Sequence, residues 1–261
     1  VYGSFYFFYS IRSLAYQKHF LCAKKSGYLS NALYWFNLWA YYCLYNDNFW
    51  NNLDCSNCSS AKSSACPIFT KLLQYKTMKT KFILHGGFHS GEKQENDAFF
   101  KEILSGVPNE AKILLVYFAK EPDRIAKNKE EDIEQFNKNR GNKALSFEVA
   151  TKDLFPEQVK ESDIIYLHGG HSGMLLDSLK KYQNLKQLFD GKVVAGDSAG
   201  ANVVCSAFYS MKIGVSEGFG LIPIKVISHY LEENKDKLKY IKPELETLFL
   251  PEYRFKVYYS E

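Results

Sequence analysis

Residues 78–261 are predicted to fold as an α/β domain around a mostly parallel, doubly wound sheet. Two observations indicate this fold class: short apolar segments alternate with segments of helical character, and several of the apolar segments are continuous. Alternation of strands and helices is typical of βαβ units, which build parallel sheets. Continuous apolar runs are typical of strands buried on both faces, in a sheet that helices cover on each side.

The predicted elements follow one another in a regular order. We predict strands over residues 82–85, 113–118, 146–150, 163–167, 192–195 and 221–227. Helices are predicted around Met174, Leu175 and Leu179, and over residues 94–104, 124–140 and 199–209. In open sheets of this class, binding sites form outside the carboxyl ends of the strands. The turns after Leu84, Leu167 and Ala195 are therefore expected to meet.

The first 77 residues differ from the rest in composition. They contain all three Trp, five of the six Cys, seven basic residues and only two acidic residues. Their aromatic side chains follow neither the helical nor the strand period of core elements. We interpret residues 1–77 as a poorly structured N-terminal extension, and we hypothesise that the biological protein begins at Met78. The alternative is an aromatic anchor at a membrane surface.

Composition and motif spacing argue against several functions. The formal net charge of +4 is too small to indicate a nucleic-acid-binding protein. The most apolar stretch, residues 32–45, is shorter than the ~20 residues that span a bilayer, so no membrane partner is expected. Cys55 and Cys58 have zinc-ligand spacing without a second pair, and no loop has nucleotide-binding spacing, so neither metal nor cofactor is expected. Without an export signal before Met78, we expect a cytoplasmic protein.

The strongest chemical signal is the sequence Gly196-Asp197-Ser198-Ala199-Gly200, between a predicted strand and a predicted helix. This context indicates a nucleophile elbow, a sharp turn that needs small residues because the strand and the helix pack closely. Ser198 is the candidate nucleophile, and the Ala199 N–H is a candidate oxyanion donor. The alternative is a tight turn in which Ser198 only caps the helix.

A serine hydroxyl needs a base to take its proton, and several histidines are available. His229 follows the run of residues 221–227, and four other histidines also follow strand ends: His85, His89, His168 and His171. Those four leave a metal hydrolase as an alternative, although no recognisable helix carries a His-x-x-x-His pair with an acid. The turn Gly169-Gly170 lets backbone approach a substrate closely, and the Gly170 N–H is a second candidate oxyanion donor.

Three stretches of the sequence together resemble a known family. The elbow continued through Ala201-Asn202-Val203, with the Gly-Gly turn upstream, resembles the dipeptidase E (aspartyl dipeptidase) family of serine peptidases, whose relatives include cyanophycinases. Glu217–Pro223 leading to Ser228-His229 resembles the family's segment before its catalytic His, and Leu250-Pro251-Glu252 resembles its Leu-Pro-Glu turn. The resemblance covers residues 78 to about 259. It implies a flavodoxin-like fold similar to that of class I glutamine amidotransferases.

The resemblance also implies roles for individual residues. Ser198 is the nucleophile, His229 is the general base and acid, and Glu252 orients the imidazole. The N–H groups of Gly170 and Ala199 form the oxyanion hole. Class I glutamine amidotransferases carry Cys in the elbow, and the serine here favours a serine hydrolase over an amidotransferase.

The sequence departs from the family pattern in two places. The family's usual Asn-Thr after the Gly-Gly turn is His171-Ser172 here, and these two residues are candidate substrate contacts. His171 is also an alternative to His229 as the base. The segment between His229 and Glu252 is short, which leaves Glu244 and Glu246 as alternatives for the third residue. Few residues follow Glu252, which leaves open whether the last strand of the family fold is complete.

The predicted function is a serine peptidase that hydrolyses short peptides, and the resemblance implies dipeptides with an N-terminal Asp. Such a substrate requires a cation in the pocket, for which Arg124, Lys225 and Arg254 are candidates. The expected partner is a small peptide, and the oligomeric state stays open. The alternative from another class is a non-catalytic binding protein that retains the fold, as the departure at residues 171–172 allows.

Overall fold

A six-stranded sheet lies at the centre of the computed structural model, which describes residues 79–88, 94 and 96–260. Its strands are β1 (Lys81–His85), β2 (Glu110–Val116), β3 (Ala144–Val149), β4 (Ile164–Leu167), β5 (Val193–Asp197) and β10 (Phe255–Tyr259). Their spatial order is β10-β1-β5-β4-β2-β3. All neighbouring strands are parallel except β10, which pairs antiparallel with β1. The α/β class and the mostly parallel sheet are confirmed.

Helices cover both faces of this sheet. They are α1 (Asp97–Leu104), α2 (Pro122–Asn139), α3 (Phe155–Glu161), α4 (Ser172–Leu179), α5 (Leu185–Leu188) and α6 (Ala199–Val204). On one face, Phe99 of α1 and Phe136 of α2 share a core with Ile113. On the other face, Phe155 of α3 shares a core with Leu114. Successive residues of β2 therefore enter opposite cores, which explains why this strand is a continuous apolar run.

A second sheet of four strands follows α6 in the chain. Its strands are β6 (Cys205–Ser210), β7 (Gly214–Glu217), β8 (Ile222–Ser228) and β9 (Thr247–Leu250), in the order β7-β6-β8-β9. The helix predicted over residues 199–209 is therefore wrong beyond Val204. Residues 205–210 instead pair with β7 and β8, burying Ala207 and Phe208 completely. This pairing between distant segments overrides the local helical pattern.

The two sheets place their strand ends at one location. Strands β1, β5 and β4 are adjacent and parallel, so the turns that follow them meet, as the sequence predicts. In the second sheet, β8 and β9 are parallel, and Ser228 pairs with Leu250 at their carboxyl ends. The His229 N–H donates a hydrogen bond of 2.8 Å to the carbonyl of Gly86, just after β1. The second sheet therefore ends against the turn that follows the first strand.

The N-terminal extension and the absence of a membrane partner are two further sequence predictions. The extension predicted over residues 1–77, and Met78, lie outside the described residues. Among the helices of the described ranges, none is both long and apolar enough to cross a bilayer.

Burial predicts how unequally two equivalent truncations will affect stability. Leu114 in β2 is completely buried, whereas Leu145 in the neighbouring β3 is only partly buried. We expect Leu114→Ala to lower the free energy of unfolding by about 2–5 kcal/mol, because a core site of this kind leaves a cavity. Leu145→Ala should cost clearly less. Urea denaturation of both variants provides the measurement, and equal losses would contradict the two-core description.

Candidate active site

Ser198 stands on a strained turn between β5 and α6. Its backbone has φ 46° and ψ −95°, a conformation that a residue with a side chain rarely adopts. The Ser198 N–H donates to the carbonyl of His85 at 3.0 Å, which fixes the turn to the end of β1. Gly196 and Gly200 permit the turn, because a Cβ on Gly196 would lie 2.4 Å from the carbonyl carbon of Gly200. The sharp strand-to-helix turn is thus present where the motif predicts an elbow.

The structure brings Ser198, His229 and Glu252 together in a hydrogen-bonded chain. The Nε2 atom of His229 lies 2.9 Å from the Oγ of Ser198, and its Nδ1 lies 2.7 Å from the Oε1 of Glu252. Side chains of His229 and Glu252 are each about one third exposed, so the chain borders solvent. The alternatives Glu244 and Glu246 are exposed, and the carboxylate bonded to His229 is that of Glu252.

The turn after β1, at Gly86 and Gly87, packs against the His229 ring of this hydrogen-bonded chain. Besides accepting the His229 N–H, it lets the imidazole of His229 lie directly on Gly87, where a Cβ would be 2.1 Å from the ring Cε1. Gly87 also has φ +108°, which an L-residue with a side chain rarely adopts. Its carbonyl accepts the N–H of Tyr253, the residue after Glu252, at 3.0 Å. This short turn therefore contacts His229 and the residue next to Glu252.

A cleft of about 690 Å³ opens over Ser198, within the usual size range of small-molecule sites. Four cations line it: Lys120, Arg124, Lys127 and Lys212. Within the described part of the chain, Lys127 pairs with Glu131, whereas Lys120, Arg124 and Lys212 form no ion pair. The acids Asp132 and Asp197 are each bonded to a histidine. The cleft therefore presents three cations that form no ion pair with a described residue, although acids such as Asp123 also line it.

Lys120 is the most buried of these three cations. Burial lowers the pKa of its ammonium group below the usual lysine range, and the nearby charges of Asp197 and Asp132 partly offset that effect. Of the three cations considered from the sequence, only Arg124 lines the cleft. Lys225 is buried elsewhere and donates to the carbonyl of Leu238 at 3.2 Å.

The residues after β4 divide into two groups. Gly170 and Ser172 line the cleft, and the Oγ of Ser172 accepts a hydrogen bond of 3.1 Å from the Asn202 amide. His171 does not line the cleft; its Nδ1 accepts the N–H of Met174 at 3.3 Å and caps α4. A Cβ on Gly170 would lie 2.3 Å from the carbonyl oxygen of Ala119, so protein backbone packs closely against this turn. The close approach of a substrate to Gly170 stays a prediction.

The histidines weighed as metal ligands have separate partners. The Nδ1 of His85 lies 3.2 Å from Asp197, and that of His168 lies 2.8 Å from Asp132. His89 lies outside the described residues. Among residues 79–88, 94 and 96–260, no three His, Cys, Asp or Glu side chains are grouped as a metal site.

Comparison with known proteins adds evidence that geometry alone does not supply. The family model for peptidase family S51 matches residues 82–249, well over half of the chain, and the match includes Ser198 and His229. The chain belongs to peptidase family S51. It is therefore a serine-type peptidase, and the predicted enzyme class is confirmed. Glu252 lies three residues beyond the matched segment.

One solved structure agrees with this peptidase in fold. The chain is similar to the crystal structure of a peptidase from an acI-B1 Actinobacterium, with 21% identity, a TM-score of 0.53, and coverage of 69% of this chain and 84% of that one. It is also similar to a putative peptidase E protein from Listeria monocytogenes EGD-e, with 16% identity, a TM-score of 0.47, and coverage of 70% and 98%. No curated protein sequence matches this chain significantly.

Sequence reasoning missed three features in or directly behind the peptidase's cleft: the Lys120 ammonium, the pairing of His85 with Asp197, and the buried Asp132. Position after β2 was a usable signal for Lys120, because sites form at the carboxyl ends of parallel strands. Asp132 lies on the buried stripe of α2 with Phe136, a spacing that its many charged neighbours hide. Its carboxylate accepts hydrogen bonds of 2.8 Å from both Tyr117 and His168.

The contact between Gly87 and the His229 ring predicts a selective loss of activity. In Gly87→Ala, the added methyl group must displace the imidazole, and we expect labelling of Ser198 by a fluorophosphonate to slow by about 10²-fold, as misplacement by about 1 Å does. Gly141→Ala is the matched control, since Gly141 also has a positive φ but no atom within 4 Å of an added Cβ. Labelling rates from mass spectrometry measure both, and equal slowing would contradict this interpretation of the contact.

Proposed function

We propose that this peptidase hydrolyses short peptides through a Ser198-His229-Glu252 triad, with an N-terminal Asp as the preferred first residue. The observation that carries the proposal is the continuous chain of hydrogen bonds from Glu252 through His229 to Ser198, at 2.7 and 2.9 Å. A nucleophile bonded to a base that a third group orients is the arrangement that activates a serine hydroxyl.

Acylation follows from this geometry. The Nε2 of His229 removes the proton of Ser198 as its Oγ bonds to the scissile carbonyl carbon, and the carbonyl oxygen becomes an oxyanion. The N–H groups of Gly170 and Ala199 are the proposed donors to that oxygen. The carbon–nitrogen bond then breaks, and the imidazolium of His229 gives its proton to the leaving amine. An acyl-enzyme on Ser198 and a free amine result.

Deacylation repeats these steps with water as the nucleophile. His229 takes a proton from the water, whose oxygen bonds to the acyl carbon, and returns that proton to Ser198 as the ester bond breaks. Throughout, the carboxylate of Glu252 holds the Nδ1–H tautomer and stabilises the imidazolium. The exposure of about one third at His229 leaves room for this water.

The charge of the cleft supports an acidic first residue. An Asp side chain brings a carboxylate into the cleft, where Lys120, Arg124 and Lys212 form no ion pair with described residues. Lys120 is the best placed of these, because it is half-buried, and a charge-assisted bond is stronger where solvent is partly excluded. A neutral first residue would leave this ammonium without a partner, which is the usual basis of strong selectivity.

The nucleophile is tested directly by replacement. We expect Ser198→Ala to lower kcat for Asp-Leu by about 10⁴–10⁶-fold with an unchanged fold, and to abolish labelling by a fluorophosphonate. Ser178→Ala is the control, because Ser178 is a buried serine of α4 that does not line the cleft. Turnover of Asp-Leu by the Ser198 variant at the wild-type rate would refute the mechanism.

The acidic preference is tested at Lys120. We expect Lys120→Met to raise KM for Asp-Leu about 10–100-fold, equivalent to losing one hydrogen bond to a charged group, and to change KM for Asn-Leu little. Lys225→Met is the control, since that buried lysine lies outside the cleft.

The pH dependence has a defined sign. A lysine binds a carboxylate only while it is protonated, below its pKa, and burial lowers that pKa for Lys120. As the pH is raised, the wild-type KM for Asp-Leu should increase when Lys120 loses its proton. Because the pKa of Lys120 is lowered, this increase should begin at a lower pH than it would with an ordinary lysine. The increase should be absent in Lys120→Met. Equal KM values for Asp-Leu and Asn-Leu in the wild type would refute the substrate preference and leave the triad untouched.

A further inference from the structure

His85 is a fully buried histidine for which the proposed triad has no use. It ends β1, and its ring packs 4.4 Å from the ring of Phe99. Its Nε2 has no hydrogen-bond partner among the described residues. A buried polar atom without a partner costs about 1–3 kcal/mol, so an apolar side chain would serve packing better at this position. The second ring nitrogen indicates what the histidine does instead.

That nitrogen, Nδ1, lies between two groups that flank the triad. The N–H of Gly87 donates to it at 3.1 Å, and the Oδ1 of Asp197 lies 3.2 Å from it. Gly87 carries the His229 ring on its Cα, and Asp197 directly precedes Ser198. The His85 side chain therefore contacts both Gly87, which packs against the His229 ring, and Asp197, which precedes Ser198.

The backbone around His85 makes the same connection. Its carbonyl accepts the Ser198 N–H at 3.0 Å, while Gly86 accepts the His229 N–H at 2.8 Å. Nδ1 has one proton or one lone pair, so at any moment it either accepts from Gly87 or donates to Asp197. In both states it restrains the turn that sets the separation of Ser198 and His229.

We propose that His85 is a positioning residue of the peptidase reaction, which acts through Gly87 on the His229 ring and through Asp197 on Ser198. The inference rests on the proposed triad. His85 touches neither the substrate cleft nor the reacting atoms, so its loss should lower kcat and leave KM nearly unchanged.

Two amide substitutions separate positioning from packing. His85→Asn places an acceptor and a donor near the position of Nδ1, whereas His85→Gln places the same amide near Nε2 and fills more of the space. We expect His85→Asn to keep kcat for Asp-Leu within about fivefold of wild type and His85→Gln to lose about 10–100-fold, the scale of a misplaced catalytic group. KM should stay within about twofold in both. Urea denaturation measures their stabilities alongside.

A purely structural role for His85 would not make the Asn variant more active than the Gln variant. If His85 only packs, kcat will follow stability, and the better-filled Gln variant will be the more active; that result overturns the proposal, as does a change confined to KM. If the Asn variant does not fold, His85→Phe keeps the ring against Phe99 and removes both nitrogens. A lower kcat at wild-type KM in His85→Phe supports positioning, and wild-type kcat overturns it.

Two controls complete the experiment. Tyr258→Phe removes another buried polar atom that has no partner among the described residues, on the strand that pairs with β1, and should leave kcat unchanged. Ser198→Ala separates the two proposals. If that variant retains hydrolysis, the triad itself is wrong. If it is inactive while the Gln and Phe variants at His85 have wild-type kcat, only the positioning role fails.

Discussion

The contact of the His229 imidazole with the bare Cα of Gly87 is the constraint on which the site depends. The ring can lie between Ser198 and Glu252 only because the turn after β1 has no side chain at this point. The same turn binds the backbones of Ser198 and His229 at 3.0 and 2.8 Å. A shift of this turn would therefore change both the Ser198–His229 and the His229–Glu252 distances, so the position of the turn determines the geometry of the triad.

Two sheets must end at this turn for the site to exist. The parallel sheet supplies Ser198 at the end of β5, and the second sheet supplies His229 after β8 and Glu252 after β9. Both Ser198 and His229 have positive φ, at 46° and 48°. Conformations of this kind persist where the surrounding structure enforces them, and here the enforcing contacts are the hydrogen bonds to the turn after β1.

The charged side chains that line the cleft differ in whether they have ion-pair partners among the described residues. Asp132 and Asp197 are buried and bonded to His168 and His85, while Lys120 lines the same cleft without an ion pair to a described residue. Acids that are already satisfied contribute less to ligand binding than a half-buried ammonium group that has no counterion. This asymmetry, which the nearly balanced charges of residues 78–261 conceal, is the basis of the proposed preference for an acidic substrate.

The sequence by itself determined the α/β class, the buried strands and the elbow around Ser198, because these depend on local patterns of apolar and small residues. It also indicated His229, which follows a predicted strand, and the family resemblance implied Glu252 while Glu244 and Glu246 stayed alternatives. Only the tertiary structure decided that the helix after Ser198 ends at Val204, since β6 forms by pairing with strands distant in sequence. The distances between His229, Glu252 and Gly87 likewise arise where separate segments meet, and no local pattern encodes them. The same holds for Lys120, which has no ion pair among the described residues.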